Sequence, residues 1–407
     1  MISKIRIANF GSIGKEIELN FTKGGRTEES GYFKLKDTKI SLLNGFYGAN
    51  ASGKSNTLKA FNTLVRIMYN VIPKTQSGFQ DPVLLFPNFH SDFKDLPTKL
   101  GFDFLIGKNN YKYDLEILSG KKIAEEKLFV IDTNLKSAKP KEVFTRRGDG
   151  IKFGPDFKDH DNYFLAISIA EYQTVISHLI VSNARAVLDF IEFGKNNKYF
   201  AKTDEIDAMI PGVLNIIQQA MRMKSSSNPS DAEMNSITRS VLSRFDKTIE
   251  SIDIDTSNNN VSIKIAHKEF YDKVDIMQES SGTRELFLYI YDILRVLKNG
   301  GVIIYDETNR YFHPDIENIL ISLFNNKEVN SSNAQLFFAS HNYDTLESLN
   351  LDQIFIVEKN NNSSIVTKVS EIEDIKSRDN LKKKYSLGFL GGLPDSVDFS
   401  HMIKQII

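Results

Sequence analysis

The chain contains no cysteine, no run of 18 apolar residues and almost no net charge, −1 over 407 residues. The absence of cysteine excludes disulfides, thiolate metal sites and cysteine nucleophiles, and it fits the cytoplasmic location that we expect. Without a long apolar run no membrane-spanning helix is predicted, and residues 1–10 lack the apolar stretch of a signal peptide. The balanced charge gives no global nucleic-acid signature. Three lysines at 382–384 are interpreted as a solvated helix face.

The most informative segment is residues 48–55, which read Gly-Ala-Asn-Ala-Ser-Gly-Lys-Ser and match the phosphate-binding pattern G-x-x-x-x-G-K-[ST]. Gly48 and Gly53 allow backbone angles that a Cβ would forbid, so successive N–H groups can point at phosphate oxygens. Lys54 brings a positive charge to the β- and γ-phosphates, and the Ser55 hydroxyl can ligate Mg²⁺. The alternative interpretation is an ordinary glycine-rich turn before a helix.

The surroundings of this loop favour the phosphate-binding interpretation. Residues 39–44 have the composition of a buried strand, and residues 56–69 carry apolar side chains at helical spacing. A strand before the loop and a helix after it are what the motif requires, because the helix N-terminus then faces the anion. The predicted nucleotide-binding set therefore also includes Asn50, Ser52 and Asn56.

A second motif lies at residues 301–307, Gly-Val-Ile-Ile-Tyr-Asp-Glu, an apolar strand that ends in two carboxylates. A continuously apolar strand is typical of a parallel sheet that is buried on both faces. This is the Walker B pattern, in which Asp306 holds Mg²⁺ and Glu307 takes a proton from the attacking water as general base. The alternative is an ordinary core strand followed by an acidic turn. A phosphate loop in the same chain favours the Walker B interpretation over this alternative.

Two further segments place small and polar residues at the start of a predicted helix and at the end of a predicted strand. Residues 279–285, Glu-Ser-Ser-Gly-Thr-Arg-Glu, precede a helical run, where free N–H groups and the Ser280 hydroxyl favour an anion. Since one nucleotide needs only one such site, the second predicts a contact with the γ-phosphate bound by a partner subunit; a plain serine N-cap is the alternative. His341 ends an apolar strand at 334–340 and can hydrogen-bond a γ-phosphate oxygen, unless it is an ordinary surface histidine.

The order of the elements predicts an α/β protein with an insertion. Residues 1–160 are predicted to form the N-terminal part of an ATPase head, with an antiparallel meander over 100–131. Residues 161–250 are predicted to form a helical insertion, within which 164–193 have helical periodicity. Residues 251–407 are predicted to form the C-terminal part of the head.

Taken in order, the four motifs resemble those of ABC-type ATPases of the SMC, RecF and OLD kind. A closer likeness is to the bacterial AAA15/AAA21-type ATPases of phage-defence and abortive-infection systems. It is carried by residues 5–21, by Ile-Ala-Glu-Glu-Lys-Leu at 123–128, by Phe-His-Pro at 312–314 and by Tyr-Ser-Leu-Gly-Phe-Leu-Gly-Gly-Leu-Pro at 385–394. The resemblance implies an ABC-type P-loop ATPase head with an antiparallel β-subdomain and a helical insertion.

The resemblance also implies roles for particular residues. Ser280, Ser281 and Gly282 match a signature that completes the ATP site of a neighbouring subunit, and His341 matches the switch histidine. ATP and Mg²⁺ are the implied cofactors, and a homo-oligomer, at least a dimer, is joined through ATP. The signature reads Ser-Ser-Gly-Thr, which departs from the family pattern. No acidic TOPRIM-like cluster follows His341, so an OLD-type nuclease domain is not expected. The candidates for the Q-loop glutamine stay open: Gln76, Gln80 and Gln173.

The resulting hypothesis is a switch ATPase with Lys54, Glu307 and His341 as its catalytic residues. By resemblance it regulates a separately encoded effector, such as a TOPRIM-like nuclease, in antiviral (abortive-infection) defence. The alternative is a DNA-repair or chromosome-maintenance ATPase of RecF or SMC type, so nucleic acid stays open as a partner. A nucleotide-binding subunit of a membrane transporter is disfavoured by the size of the insertion and by the signature, and no membrane partner is expected.

Overall fold

The computed structural model describes residues 1–25, 29–69, 88, 90–118, 122–133, 139–160, 169–182, 184, 187–191, 231–255, 262–306 and 314–393. The strands of these ranges are β1 Ile2–Ala8, β2 Ile17–Asn20, β3 Thr22–Gly24, β4 Tyr32–Leu35, β5 Thr38–Ser41, β6 Leu43–Tyr47, β7 Thr98–Ile106, β8 Asn109–Leu118, β9 Lys122–Asp132, β10 Lys141–Arg147, β11 Gly150–Phe153, β12 Ile249–Asp255, β13 Ser262–His267, β14 Val274–Asp275, β15 Val302–Tyr305, β16 Gln335–Ala339, β17 Ile354–Asn360 and β18 Ser363–Lys368. The α-helices are α1 Lys54–Tyr69, α2 Val175–Val181, α3 Asp231–Phe245, α4 Ser281–Asn299, α5 Pro314–Asn325 and α6 Leu381–Ser386.

A five-stranded sheet in the order β15-β16-β6-β17-β18 carries the sequence motifs. Strands β15, β16, β6 and β17 are parallel, and β18 pairs antiparallel with β17. Neighbouring side chains of one strand enter opposite hydrophobic clusters: Phe46 and Phe337 pack on one face, Tyr47 and Phe338 on the other. Because both faces are buried, the strands are apolar throughout, as the sequence predicted.

Helix α1 lies between this sheet and a seven-stranded antiparallel sheet in the order β11-β10-β9-β8-β7-β1-β2. The ring of Phe61 on α1 is 4.9 Å from that of Phe337 in the parallel sheet and 5.6 Å from that of Phe102 in the antiparallel sheet. Strands β7, β8 and β9 form the predicted meander. The helix that follows the phosphate loop is therefore fixed by burial on both sides.

The opposite face of the parallel sheet is covered by α4, α5 and α6 and by residues of a small antiparallel sheet, β12-β13-β14. The described elements thus confirm the predicted α/β fold class with an antiparallel β-subdomain. Most of the predicted helical insertion, residues 161–250, lies outside the described residues. Within the described part of the chain, no helix combines the length and apolar character needed to cross a membrane.

Two local predictions were wrong. Residues 39–44, expected as one strand, divide between β5, which pairs in a three-stranded sheet, and β6, which joins the parallel sheet. Both halves are buried, so the apolar pattern does not reveal the change of partner. The helical periodicity of 164–193 is also misleading: residues 169–174 are not helical, and α2 begins only at Val175. The buried carboxylate of Glu126 accepts hydrogen bonds from the N–H groups of Val175 and Ile176, which sets that start.

Candidate nucleotide site

Three of the predicted motifs follow the carboxyl ends of neighbouring parallel strands. The phosphate loop follows β6, Ser340 and His341 follow β16, and Asp306 follows β15. The N–H of Ser340 donates to the carbonyl of Phe46 at 3.2 Å, immediately before the loop. Asp306 is level with Phe46 across β16, and two strand spacings separate their Cα atoms by about 10 Å. The fold therefore brings the loop, the histidine and the aspartate to one edge of the sheet.

The phosphate loop has the backbone of an anion cradle. Gly48, Ala51 and Gly53 all have positive φ, at 154°, 62° and 114°. A Cβ on Gly48 would lie 2.2 Å from the carbonyl oxygen of Val357, and one on Gly53 would lie 2.0 Å from the hydroxyl of Ser364. Only glycine fits these two positions, and the left-handed Ala51 is a strained residue of the kind that concentrates at functional sites.

Lys54 begins α1 and turns its side chain back over the loop. Its Nζ donates to the carbonyl oxygens of Gly48 and Ala49, both at 2.9 Å, and only 5% of the residue is exposed. The first N–H groups of a helix have no partner within the helix, and α1 is 16 residues long. A buried ammonium and a helix N-terminus therefore lie together at the loop, an arrangement that attracts a polyanion.

The outer side of the loop is fixed by a chain of hydroxyl groups that the sequence motifs did not include. Ser364 of β18 contacts the carbonyl of Ser52 and the hydroxyl of Ser12, both at 2.6 Å. The Ser12 hydroxyl also accepts from the side-chain amide of Asn56 at 2.9 Å. Asn56 thus points toward the turn at Ser12. These bonds hold the loop in shape.

The residues present fit a triphosphate and its magnesium ion. The hydroxyl of Ser52 is buried beside Gly48, 2.9 Å from where a Cβ would stand, and has no hydrogen-bond partner among the described residues. Ser55 and Asp306 are half-buried and supply the hydroxyl and carboxylate oxygens that Mg²⁺ prefers. Asn50 is exposed at the tip of the loop. In the described ranges, no group of three or more histidine, aspartate or glutamate side chains converges as a metal site.

The signature segment stands at the exposed N-terminus of α4. Ser280 is the N-cap: its hydroxyl accepts from the N–H of Thr283 at 3.1 Å. Ser280 and Ser281 are exposed, and Gly282 is half-exposed. The ring of Tyr289 packs 4.3 Å from that of Tyr305 at the end of β15. With a rise of about 1.5 Å per residue, Ser280 lies about 13 Å along the helix axis from Tyr289. The segment is therefore accessible to a second molecule.

A chain of hydrogen-bonded polar groups holds the entry to this helix. Glu279 contacts Nε2 of His267 at 2.8 Å, and Nδ1 of the same ring contacts the hydroxyl of Thr248 at 2.8 Å. Thr248 in turn donates to Asp246, just beyond the end of α3, at 2.6 Å. The start of the signature helix is thus connected through His267 to the end of α3.

Several predicted residues fall outside the described residues: Glu307, Phe312, His313, Gln76 and Gln80. Gln173 is described, and it lies away from the loop. Its neighbour Thr174 contacts the carbonyl of Ile67, which is 13 residues, or about 20 Å, along α1 from Lys54. Gln173 is therefore a poor candidate for the Q-loop glutamine.

The C-terminal residues reach the loop as well. A Cβ on Gly392 would lie 3.3 Å from the Cα of Gly48, and the N–H of Gly392 donates to Glu358 at 2.9 Å. In the sequence, residues 385–394 are marked only by their family resemblance. Glu358 and Ser364 belong to no recognisable sequence motif. Such residues become visible only when the strands are placed side by side.

Comparisons with known proteins find one matching family and several similar solved structures. Residues 43–347 match the family model described as "AAA domain, putative AbiEii toxin, Type IV TA system". No curated protein matches the chain. Among solved structures it is similar to an SMC head bound to the C-winged helix domain of ScpA (12% identity, TM-score 0.47, covering 90% of this chain and 96% of that one). It is also similar to the SMC head domain of Thermotoga maritima (13%, 0.41, 90% and 98%).

A third solved structure is an SMC head with an extended coiled coil bound to the C-terminal domain of ScpA derived from Pyrococcus furiosus (12% identity, TM-score 0.41, covering 90% of this chain and 95% of that one). The family model spans three quarters of the chain and includes the phosphate loop, the signature, the acidic strand and His341. The chain therefore belongs to this family of AAA domains.

Proposed function

We propose that this protein is a switch ATPase that binds and hydrolyses ATP between two copies of itself. The observation that carries the proposal is the phosphate loop: positive φ at Gly48, Ala51 and Gly53, with the Lys54 ammonium over the loop carbonyls. Asp306 and His341 at the same sheet edge support it, because they stand where a nucleotide's γ-phosphate and metal are expected.

Each residue has a defined part in the proposed reaction. Ser55 and Asp306 would hold Mg²⁺, which neutralises charge on the β- and γ-phosphates when bound. Lys54 binds and orients the phosphates as a buried point charge. Glu307 takes the proton of the attacking water, and His341 contacts the γ-phosphate and responds to its loss. Because these groups mainly position and stabilise, hydrolysis is expected to be slow and to serve switching.

The proposed signature acts across the interface between two copies. Ser280 is exposed and projects beyond the sheet edge, so it is available to a phosphate held by another copy. A two-fold axis would then give two equivalent sites, each with one phosphate loop and one signature. Bound ATP favours the associated form, and hydrolysis favours separation.

A mixing experiment tests this arrangement. Lys54→Ala removes the loop charge, and Ser280→Asp keeps an N-cap acceptor while placing a negative charge against the γ-phosphate. Each variant alone is expected to be inactive. In an equimolar mixture, half of the dimers contain one site with neither change, so about a quarter of wild-type turnover should return.

The matched control is Ser331→Asp, the same change at an exposed residue before β16, at the opposite edge of the parallel sheet, and it should retain activity when assayed alone. A mixture no more active than its two components, measured by phosphate release after subunit exchange, would contradict sites shared between copies.

We further propose that this switch regulates a separate effector in antiviral defence. The family description, which refers to an AbiEii toxin and a toxin–antitoxin system, supports this role. In cells that carry the native operon, phage should plate with reduced efficiency, and Lys54→Ala should restore plating because the ATP-bound form is lost. Equal plating on wild-type, Lys54→Ala and operon-free cells would rule out the defence role while leaving ATP binding intact.

A further inference from the structure

We propose that Gly392, in the turn formed by residues 387–393, is a positioning residue of the nucleotide site and acts through Gly48. This inference rests on the proposed ATP-binding function. The turn follows α6 and passes directly beside the phosphate loop. A Cβ at Gly392 would stand 3.3 Å from the Cα of Gly48 and 2.8 Å from Cγ2 of Ile356.

Three groups hold Gly392 in this place. Its N–H donates to Oε1 of Glu358 at 2.9 Å, and its carbonyl accepts from the hydroxyl of Tyr385 at 3.2 Å. Burial raises the pKa of Tyr385, so that hydroxyl remains a donor. The side chain of Leu390, only 3% exposed, anchors the turn in the core below. The backbone of Gly392 is therefore held at both its N–H and its carbonyl.

The contact restricts Gly48, one of the two loop residues whose carbonyls accept hydrogen bonds from Lys54. The carbonyl of Gly48 accepts from Lys54, while its Cα is backed by Gly392 and its space for a Cβ is closed by Val357. These restraints on Gly48 keep the N–H groups of the loop oriented for phosphate before a ligand binds. Such preorganisation improves affinity. The turn should thus affect nucleotide binding more than turnover.

The turn contains its own matched control. Gly388 and Gly392 have similar positive φ, 82° and 75°, so alanine strains both alike. A Cβ at Gly388, however, meets nothing closer than 3.9 Å, the Cδ1 of Leu393. Both substitutions therefore introduce the same backbone strain. Gly392→Ala also introduces a close contact with Gly48, whereas Gly388→Ala does not.

We expect Gly392→Ala to raise the KM for ATP and the Kd for a fluorescent ATP analogue about tenfold, with kcat within about twofold of wild type. Gly388→Ala should leave both the KM and the Kd unchanged. An unchanged Kd in Gly392→Ala, or an equal rise in both variants, would overturn the proposal.

A second pair of variants covers the case in which Gly392→Ala does not fold. Glu358 is exposed, so its replacement should leave the fold intact. Glu358→Ala removes the acceptor for Gly392 and should raise the Kd severalfold, whereas Glu358→Gln keeps an acceptor oxygen and should restore wild-type affinity. Equal affinity in these two variants would contradict the role of the turn. If the wild-type protein binds no ATP, the proposed ATP-binding function is wrong. If it binds ATP but the two Glu358 variants have equal affinity, only the proposed role of the turn is wrong.

Discussion

Replacing Lys54 with alanine is expected to abolish tight ATP binding, with a loss of affinity on the order of a hundredfold or more. The side chain is almost fully buried, and we propose that its ammonium binds the phosphates. Its removal also leaves the carbonyls of Gly48 and Ala49 without the donor that draws the loop together. Isothermal titration with ATP and Mg²⁺ measures the change directly.

Two further variants make this result specific. Lys59→Ala removes the same side chain from the exposed face of the same helix and should leave the affinity unchanged. Lys54→Arg keeps the charge but places a planar fork where a compact ammonium fits, so it should not restore binding. Wild-type affinity in Lys54→Ala would refute the assignment of residues 48–55 to a phosphate.

Replacing Glu307 with glutamine is expected to leave ATP bound and to slow its hydrolysis by about a hundredfold or more. Glutamine has the size of glutamate but cannot take the proton of the attacking water. Because hydrolysis dissolves the proposed ATP-bridged assembly, the variant should accumulate the associated form. Phosphate release gives the rate, and light scattering after gel filtration with ATP gives the mass.

The control for this prediction is Glu328→Gln, the same change at an exposed residue after α5. It should match wild type in both rate and mass. Normal turnover in Glu307→Gln would remove Glu307 from the role of base. Slow turnover without an increase in mass would retain the base and contradict the ATP-bridged assembly.

Much of the fold could be read from local patterns. The meander was recognisable because its strands are neighbours in sequence, separated by turns such as the one at Gly107. The acidic strand was recognisable because burial on both faces makes it apolar throughout. The split of residues 39–44 could not be foreseen, since β5 and β6 are equally buried and differ only in their partners.

The site divides in the same way. Gly48, Gly53 and Lys54 were predicted because a loop that encloses phosphate limits both its own backbone angles and its own charge. Ser364 was missed: it bonds to Ser52 and Ser12 across separations of 312 and 352 residues. Serine is common on protein surfaces, and nothing in its neighbours marks a residue whose partner is so distant.

The sequence by itself determined the phosphate-loop motif and the apolar strand before Asp306, because each depends on residues that are close neighbours in the chain. The tertiary structure alone decided what surrounds that loop. Strand order placed β16 between the loop and Asp306, and it brought Ser12, Ser364 and Gly392 against the loop. These contacts depend on which strands pair, and pairing results from burial summed over the whole chain.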